Sequence, residues 1–113
     1  MKQGEIWQIN LDPTVGAEIQ KIRPSIIVSD DSIGKLPLKI IVPLSDWKDH
    51  YSKVPWMVRV SPDQTNQLIK ISVADCFQVR SISEERFIRK VGEVDLTNMV
   101  FIKKALALVL SIE

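Results

Sequence analysis

Few groups in this chain are equipped for chemistry, and Arg23 heads them. The proline after it, Pro24, fixes its own φ, has no backbone N–H and drives Arg23 toward an extended conformation. The polar loop of residues 16–21 therefore delivers a guanidinium to the lip of an apolar run, residues 25–29, in a defined direction. A guanidinium stays charged at any working pH and grips a phosphate with two parallel donors. A plainer arrangement is a surface arginine paired with Glu18, and these residues alone favour it. Ser45 follows the apolar run 39–42. By itself it is a turn former or N-cap; opposite a cation it becomes a hydroxyl donor aimed at a phosphate oxygen. His50, the only histidine, lies in the polar stretch 46–54 beside Asp46 and Asp49. A histidine base needs a fixed neighbour to tune it, and a lone loop histidine is ordinarily just solvated. Trp47 and Tyr51 read equally well as stacking platforms for bases and as an apolar lid. Gln78, amid apolar neighbours, either satisfies buried backbone groups or reads a ligand edge. Glu18 and Lys21 are most simply solvated loop charges.

The elements that must position these groups are mostly short strands. Residues 5–11 alternate, with Ile6, Gln8 and Asn10 on one face and Trp7, Ile9 and Leu11 on the other. Turn chemistry from Asp12 through Gly16 breaks that strand. Further strands are expected at 25–29, buried on both sides, and at 39–42, ended by Pro43-Leu44-Ser45. Others are expected at 56–60, 68–74 and 77–82, with Asp75-Cys76 between or within the last two, and a weak one at 88–94. Residues 83–87 predict a short helix or turn. The last element is a helix with Asp95 as N-cap and Met99, Ile102, Ala105 or Leu106, Val109 and Leu110 at helical spacing. Val100, Phe101 and Leu108 widen its apolar surface, so it is either deeply buried or partly covered by a second subunit. Short strands joined by turns, with one terminal helix, predict a mainly β fold: a compact barrel or sandwich with helical additions.

Composition narrows the function. A chain of 113 residues predicts one domain, residues 1–113, with a core of its own. The net charge of +1 argues against a protein that coats duplex DNA, which needs many phosphate-neutralising side chains, but allows one that grips a short single strand at a few phosphates. One cysteine, Cys76, rules out an internal disulfide and a zinc set; its apolar neighbours predict a buried, inert thiol. There is no Gly-rich phosphate loop, metal cluster or Ser–His–Asp constellation, so no metal or cofactor is expected. The first residues enter an alternating strand and not an apolar signal segment, and no run approaches bilayer length, so a cytoplasmic protein without a membrane partner is expected.

Three stretches then line up with a known family. Gly4-Glu5-Ile6-Trp7, Leu11-Asp12-Pro13-Thr14-Val15-Gly16-Ala17-Glu18 and Arg23-Pro24-Ser25-Ile26-Ile27-Val28-Ser29 resemble the N-terminal signature of the MazF/PemK toxins, the toxin halves of type II toxin–antitoxin pairs. The likeness continues through Ile41-Val42-Pro43-Leu44-Ser45, returns at Gln78-Val79-Arg80-Ser81-Ile82, and takes in the terminal helix. It implies an SH3-like small barrel of the CcdB/PemK/MazF type with short helices, one of them C-terminal, and a homodimer. It implies a metal-independent endoribonuclease that cuts single-stranded RNA, mostly messenger RNA, at short sequences. It also implies a DNA-binding, MazE-like antitoxin whose extended tail covers the RNA site.

Carried over by position, the family's catalytic arginine falls on Arg23. Its catalytic threonine falls on Ser45, which keeps the hydroxyl and drops the methyl. RNA contacts are expected from Glu18, Gln20, Lys21, Asp46 and Trp47, with Gln78 at the floor, and His50 or water as proton carrier. A 2′-hydroxyl would attack the adjacent phosphorus and leave a 2′,3′-cyclic phosphate. Some members also use a histidine in the first loop and an Arg-x-Asp pair before the glutamine, where this chain has Ala17, Asp75 and Phe77. That departure motivates a second reading, a barrel that binds RNA or protein without cutting. A third, the related gyrase-poisoning CcdB toxins, ranks last, because their terminal Trp-Gly-Ile is absent from a chain ending Leu110-Ser111-Ile112-Glu113.

Overall fold

The structure, a computed structural model, describes residues 1–113. Seven strands appear in order: β1 (Glu5–Asn10), β2 (Ile22–Ile27), β3 (Leu38–Asp46), β4 (Met57–Val60), β5 (Ser72–Asp75), β6 (Arg80–Ser83) and β7 (Phe87–Glu93), followed by the helix α1 (Leu96–Val109). Three short 3-10 helices, Asp49–Lys53, Cys76–Gln78 and Glu84–Arg86, fill the connections. All pairings are antiparallel. The strand order is β4-β5-β3-β2-β1-β7, with β6 also paired to β3. This is a mainly β, SH3-like architecture with one C-terminal helix.

β3 organises the sheet because it has three partners. Its first half pairs with β6 from Leu38↔Ser83 to Ile41↔Arg80, and its last three residues pair with β5 from Leu44↔Ala74 to Asp46↔Ser72. Pro43 falls in the interval between those two ladders, a break where a missing N–H is tolerated in a strand. That is why β3 runs on to Asp46, whereas the sequence predicts an end at Pro43-Leu44-Ser45. β2 likewise starts earlier than expected, at Ile22, so Arg23 and Pro24 lie inside a strand opposite Ile9 and Gln8. The expected strands at 68–74 and 77–82 shorten to β5 and β6, because Asp75 accepts from the Phe77 N–H (3.2 Å) and caps a 3-10 turn between them.

The alternation read in β1 holds and feeds two cores. Ile6 joins a cluster with Ile26, Val42, Leu44, Val60 and Ala74, covered by Met99, Ile102 and Ala105 of α1. Ile9 and Leu11 join Ile27, Ile41 and Ile82 on the other face, with Trp7 and Phe87 edge-to-face at 5.7 Å against them. Each fully buried isoleucine contributes about 1.5–3 kcal/mol through apolar area removed from water. The helix cap is as read: Asp95 accepts from the Asn98 N–H at 2.7 Å. Val100, Phe101 and Leu108 on α1 remain about half exposed.

The two ends of the sheet path meet through the β4–β5 loop. Asn66, fully buried, donates to the Ser61 carbonyl and accepts from the Asp63 and Leu68 amides, which fixes the loop's shape. The loop then lies on β7, where the Glu93 N–H donates to the Thr65 carbonyl at 3.1 Å. Gly92 permits this approach, since a Cβ there would sit 2.5 Å from the carbonyl oxygens of both Thr65 and Asn66.

Candidate nucleic-acid site

β2 and β3 are joined by Ile27↔Ile41, Ile26↔Val42 and Ser25↔Pro43, and then part. The divergence follows from β3 leaning onto β5 beyond Pro43. The gap is a cleft of about 420 Å³ whose walls include Arg23, Ser45, Asp46, Lys70 and Arg89. The structure thus brings the two residues expected to do the chemistry together on neighbouring strands, where alternation gives their side chains the face of Ser25 and Pro43 and gives Pro24, Leu44 and Asp46 the other.

Arg23 is half-buried, and its Nε donates to the Gln20 carbonyl at 3.3 Å. That bond orients the fork while its terminal nitrogens keep no partner in the protein, and no carboxylate lies within ion-pair distance. The alternative pairing with Glu18 does not form; the Glu18 carboxylate accepts from the Val15 N–H at 2.5 Å instead. The Ser45 hydroxyl is half-buried and also makes no hydrogen bond within the chain. Asp46 is held by Lys70 at 2.9 Å, so these two charges largely cancel and leave the cleft positive. Lys21, two residues before Arg23, adopts φ 71° while its carbonyl accepts from the Leu11 N–H at 2.9 Å. A left-handed lysine costs on the order of 1 kcal/mol, a strain held at the turn that feeds Arg23 into β2.

The expected recognition residues separate into several places. Glu18 and Gln78 line a second cleft of about 430 Å³, with Phe77 and Arg80. There the Gln78 amide bonds the loop backbone at both ends: Oε1 accepts from the Ile19 N–H (2.6 Å), and Nε2 donates to the Ala17 carbonyl (3.1 Å). The backbone-satisfying reading of Gln78 is met: it positions the loop that carries Glu18, Gln20 and Lys21. Gln20 and Lys21 are exposed and line neither cleft. Trp47 stands just beyond Asp46, edge-to-face with Tyr51 at 6.0 Å and under the Arg59 guanidinium at 5.5 Å. His50 leans on Tyr51 at 4.5 Å, is exposed, and does not line the Arg23–Ser45 cleft.

Two buried titratable groups, Asp75 and Cys76, immediately precede Phe77 and Gln78 of the second cleft. Burial pushes the Asp75 carboxyl above its ordinary value, against the lowering effect of the Phe77 amide. Burial, with Asp75 nearby, pushes the Cys76 thiol up to about 12, in keeping with the inert thiol expected. No three side chains among His, Cys, Asp and Glu converge as a ligand set. No helix is long and apolar enough to cross a membrane.

Sequence reasoning missed Arg89, Lys70 and the segment from Gln67 to Ile69, all of which line the first cleft. Lys70 and its segment arrive on a loop anchored by Asn66, a long-range placement without local signal. Arg89 sits in the weakest-looking strand, and only the position of β7 beside β1 reveals it.

The family model described as "PemK-like, MazF-like toxin of type II toxin-antitoxin system" matches residues 2–110. Endoribonuclease MazF9 of Mycobacterium tuberculosis is 32% identical over 115 residues, spanning 96% of this chain and 94% of its own. Among solved structures, MazF (Form-I) from Deinococcus radiodurans superposes with a TM-score of 0.80 at 18% identity, covering 98% of this chain and 96% of that one. An endoribonuclease in complex with its cognate antitoxin, from a mycobacterial species, gives 0.78 at 18% identity over 100% of this chain and 97% of that one.

Proposed function

The chain belongs to the PemK-like, MazF-like family of type II toxins, and from that premise we propose that it is a metal-independent endoribonuclease acting on single-stranded RNA in the cleft between β2 and β3. The observation that carries the reading is the pairing of an unpartnered guanidinium end and an unpartnered hydroxyl on one face of two neighbouring strands, at the point where their ladder ends. Residues 1–113 act as one domain.

In the proposed reaction the RNA 2′-hydroxyl oxygen attacks the adjacent phosphorus. The P–O2′ bond forms and the P–O5′ bond breaks, giving a 2′,3′-cyclic phosphate and a 5′-hydroxyl. Charge grows on the two non-bridging oxygens. Arg23 takes one with its terminal nitrogens and the Ser45 hydroxyl donates to the other, the kind of preorganised stabilisation that is usually the largest catalytic effect. His50 lies off the cleft wall, so water accepts the 2′ proton and returns one to the departing 5′ oxygen. The loop carrying Glu18, Gln20 and Lys21, with Asp46 at the cleft mouth, contacts the flanking nucleotides. Trp47 offers a ring for a splayed base, the form in which single-stranded RNA is read.

The partners follow from the same premise. A cognate antitoxin of MazE type covers the cleft, as complexes of this kind among the structural neighbours support. A second copy covers the exposed apolar face of α1 around Val100, Phe101 and Leu108. The setting is the cytoplasm, where messenger RNA is the substrate.

The experiment is incubation of purified protein with a long single-stranded RNA in EDTA. Cuts at defined sites ending in cyclic phosphate, lost in Arg23→Ala by about 10²–10³ in rate, support the reading. Intact RNA that is nonetheless tightly bound overturns it in favour of a binding module, the reading that Ala17 and Phe77 at the family's acid–base positions support.

A further inference from the structure

We infer that Arg59 is a second phosphate grip on the RNA path, holding a phosphodiester that flanks the scissile one; this rests on the RNA-cleaving reading above. The placement comes from the register. Ser45 on β3 pairs with Val73 on β5, and Val73 pairs with Arg59 on β4. Residues in one row of a sheet point to one face, so Arg59 shares the face of Ser45, and with it that of Arg23. Adjacent strands lie about 4.8 Å apart, so the row sets Arg59 roughly 10 Å from Ser45, backbone to backbone. The Trp47 N–H donates to the Ile71 carbonyl at 3.2 Å, which carries the β3–β5 ladder past Asp46 and keeps Trp47 on that same face. The Arg59 guanidinium lies 5.5 Å from the centre of the Trp47 ring. The two side chains thus meet over β5, in keeping with the complete burial of Val73 between their strands.

The other arginines are occupied or point elsewhere. Arg80 donates to the Leu11 carbonyl and Arg86 to the carbonyls of Asn10 and Asp12. Arg89 pairs with Gln8, whose neighbour in the row is Pro24, so it belongs to the opposite face. Arg59 is exposed, makes no side-chain hydrogen bond and has no carboxylate within ion-pair distance. A cation over an aromatic ring is held by the ring's negative face while its N–H edge stays open. Tyr51 braces that ring, edge-to-face at 6.0 Å. The fork is therefore fixed by the ring and free at its donors, the form that grips a phosphate through paired hydrogen bonds. Asp75, two residues beyond Val73 on this face, does not compete for it, being buried and bonded to the Phe77 N–H. Two forks on one face, on either side of the Ser45 hydroxyl, suit a ligand with regularly repeated anionic groups; a lone monophosphate would leave one empty. Arg59 also borders a groove with Phe101 and Lys104 of α1, so a contact between copies is the competing role.

The test uses the full chain and its Arg59→Ala and Arg59→Lys variants. Binding of a 2′-fluoro oligonucleotide, which lacks the attacking hydroxyl, is followed across a salt series. Arg59→Ala is expected to weaken binding about tenfold at low salt and to flatten the slope of log affinity against log salt by about 0.7, the loss of one single-strand phosphate contact. Arg59→Lys restores the slope and only part of the affinity, because a point charge replaces the stacked fork. On cleavable RNA, neutral methylphosphonates are placed one at a time at the linkages flanking the cut. One of them should cost the wild type a similar factor in kcat/KM and cost Arg59→Ala nothing further. An unchanged slope and affinity in Arg59→Ala, or additive losses from the variant and the neutral linkage at every flanking position, overturn the assignment. So does a lower oligomer mass of Arg59→Ala at equal protein concentration, which gives the residue to a contact between copies. If the wild type binds with an Arg59-dependent slope yet leaves RNA intact, the cleavage reading fails and the grip stands. If the wild type cuts RNA and the slope ignores Arg59, the grip alone fails. A wild type that neither binds nor cuts overturns both.

Discussion

Arg23 and Ser45 each stand two residues beyond Ser25↔Pro43, the last rung that joins their strands, at the point where β2 and β3 separate. Continuing the same antiparallel register would set the two opposite one another, so they form a cross-strand pair at the point where the ladder opens. The side chains share the strand parity of Ser25 and Pro43 and therefore the same face of the sheet.

Ser45 contributes through its hydroxyl, which no protein group occupies. Ser45→Ala should lower the single-turnover cleavage rate by about 10² with the fold intact, the loss expected for one stabilising donor. Ser45→Thr should stay near wild-type rate, because Ser45 is only half-buried and the added methyl does not enter a packed core. Equal activity of the alanine variant and the wild type would remove Ser45 from the mechanism.

Gln78 should behave as a loop anchor. Gln78→Ala forfeits two hydrogen bonds to the backbone of Ala17 and Ile19 and is expected to cost about 1–2 kcal/mol of stability. Gln78→Glu should cost more, since it sets a carboxylate oxygen against the Ala17 carbonyl. In both variants the cleavage rate falls while the cut positions on a mapped RNA stay the same. A changed cut sequence would return Gln78 to base reading.

Gly92→Ala places a methyl against two carbonyl oxygens that the wired Asn66 loop holds in place. Overpacking of this kind costs about 1–3 kcal/mol, and relief is hard because backbone, not a side chain, is in the way. A fall in Tm on the order of 10 °C is expected for a domain of this size. An unchanged melting curve would show that the loop does not press on β7 as described.

Ser25 is fully buried, and its Oγ has no hydrogen-bond partner. An unpaired buried hydroxyl is unfavourable, so Ser25→Ala should leave stability unchanged or raise it by about 1 kcal/mol. Marked destabilisation in a denaturant titration would mean that the hydroxyl has a partner in solution.

Asp75 gives the chain a pH signature. Its folded-state pKa is raised by burial, so the folded chain holds this proton more tightly than the unfolded chain. The contribution to stability is therefore greatest below the ordinary carboxyl value and is lost as pH rises through the folded value. Asp75→Asn keeps an oxygen to accept from the Phe77 N–H and removes the buried charge. It should raise Tm at pH 7, and that gain should shrink toward zero on acidification to about pH 4. A gain that grows on acidification would reverse the assignment.

The parts legible in the sequence were those written in local periodicity or local chemistry. The faces of β1, the burial expected over residues 25–29, which holds for 25–27 and fails for Val28 and Ser29 beyond the end of β2, and the Asp95 cap each depend on neighbours in sequence. The bounds of β3 were misread because a proline normally stops a strand, and only the change of partner from β6 to β5 makes Pro43 harmless. Arg23 and Ser45 stand out by their own chemistry and take their roles from the family likeness, but their meeting at the end of the β2–β3 ladder arises from strand pairing, which no stretch of residues encodes alone. That Glu18, Gln78 and Asp46 do not meet in one place has a related reason: Gln78 bonds the loop backbone, and Asp46 opens on a different cavity from the other two.

The seam at Gly92 has a genetic corollary. A glycine codon is one base change from codons for alanine, valine and an acidic residue, and each of these side chains would wedge the β4–β5 loop off β7. Cells that survive forced expression of a growth-arresting protein are selected for such lesions. Sequencing survivors should therefore return hits far from Arg23, gathered at the place where the barrel is buttoned shut by the absence of a single carbon.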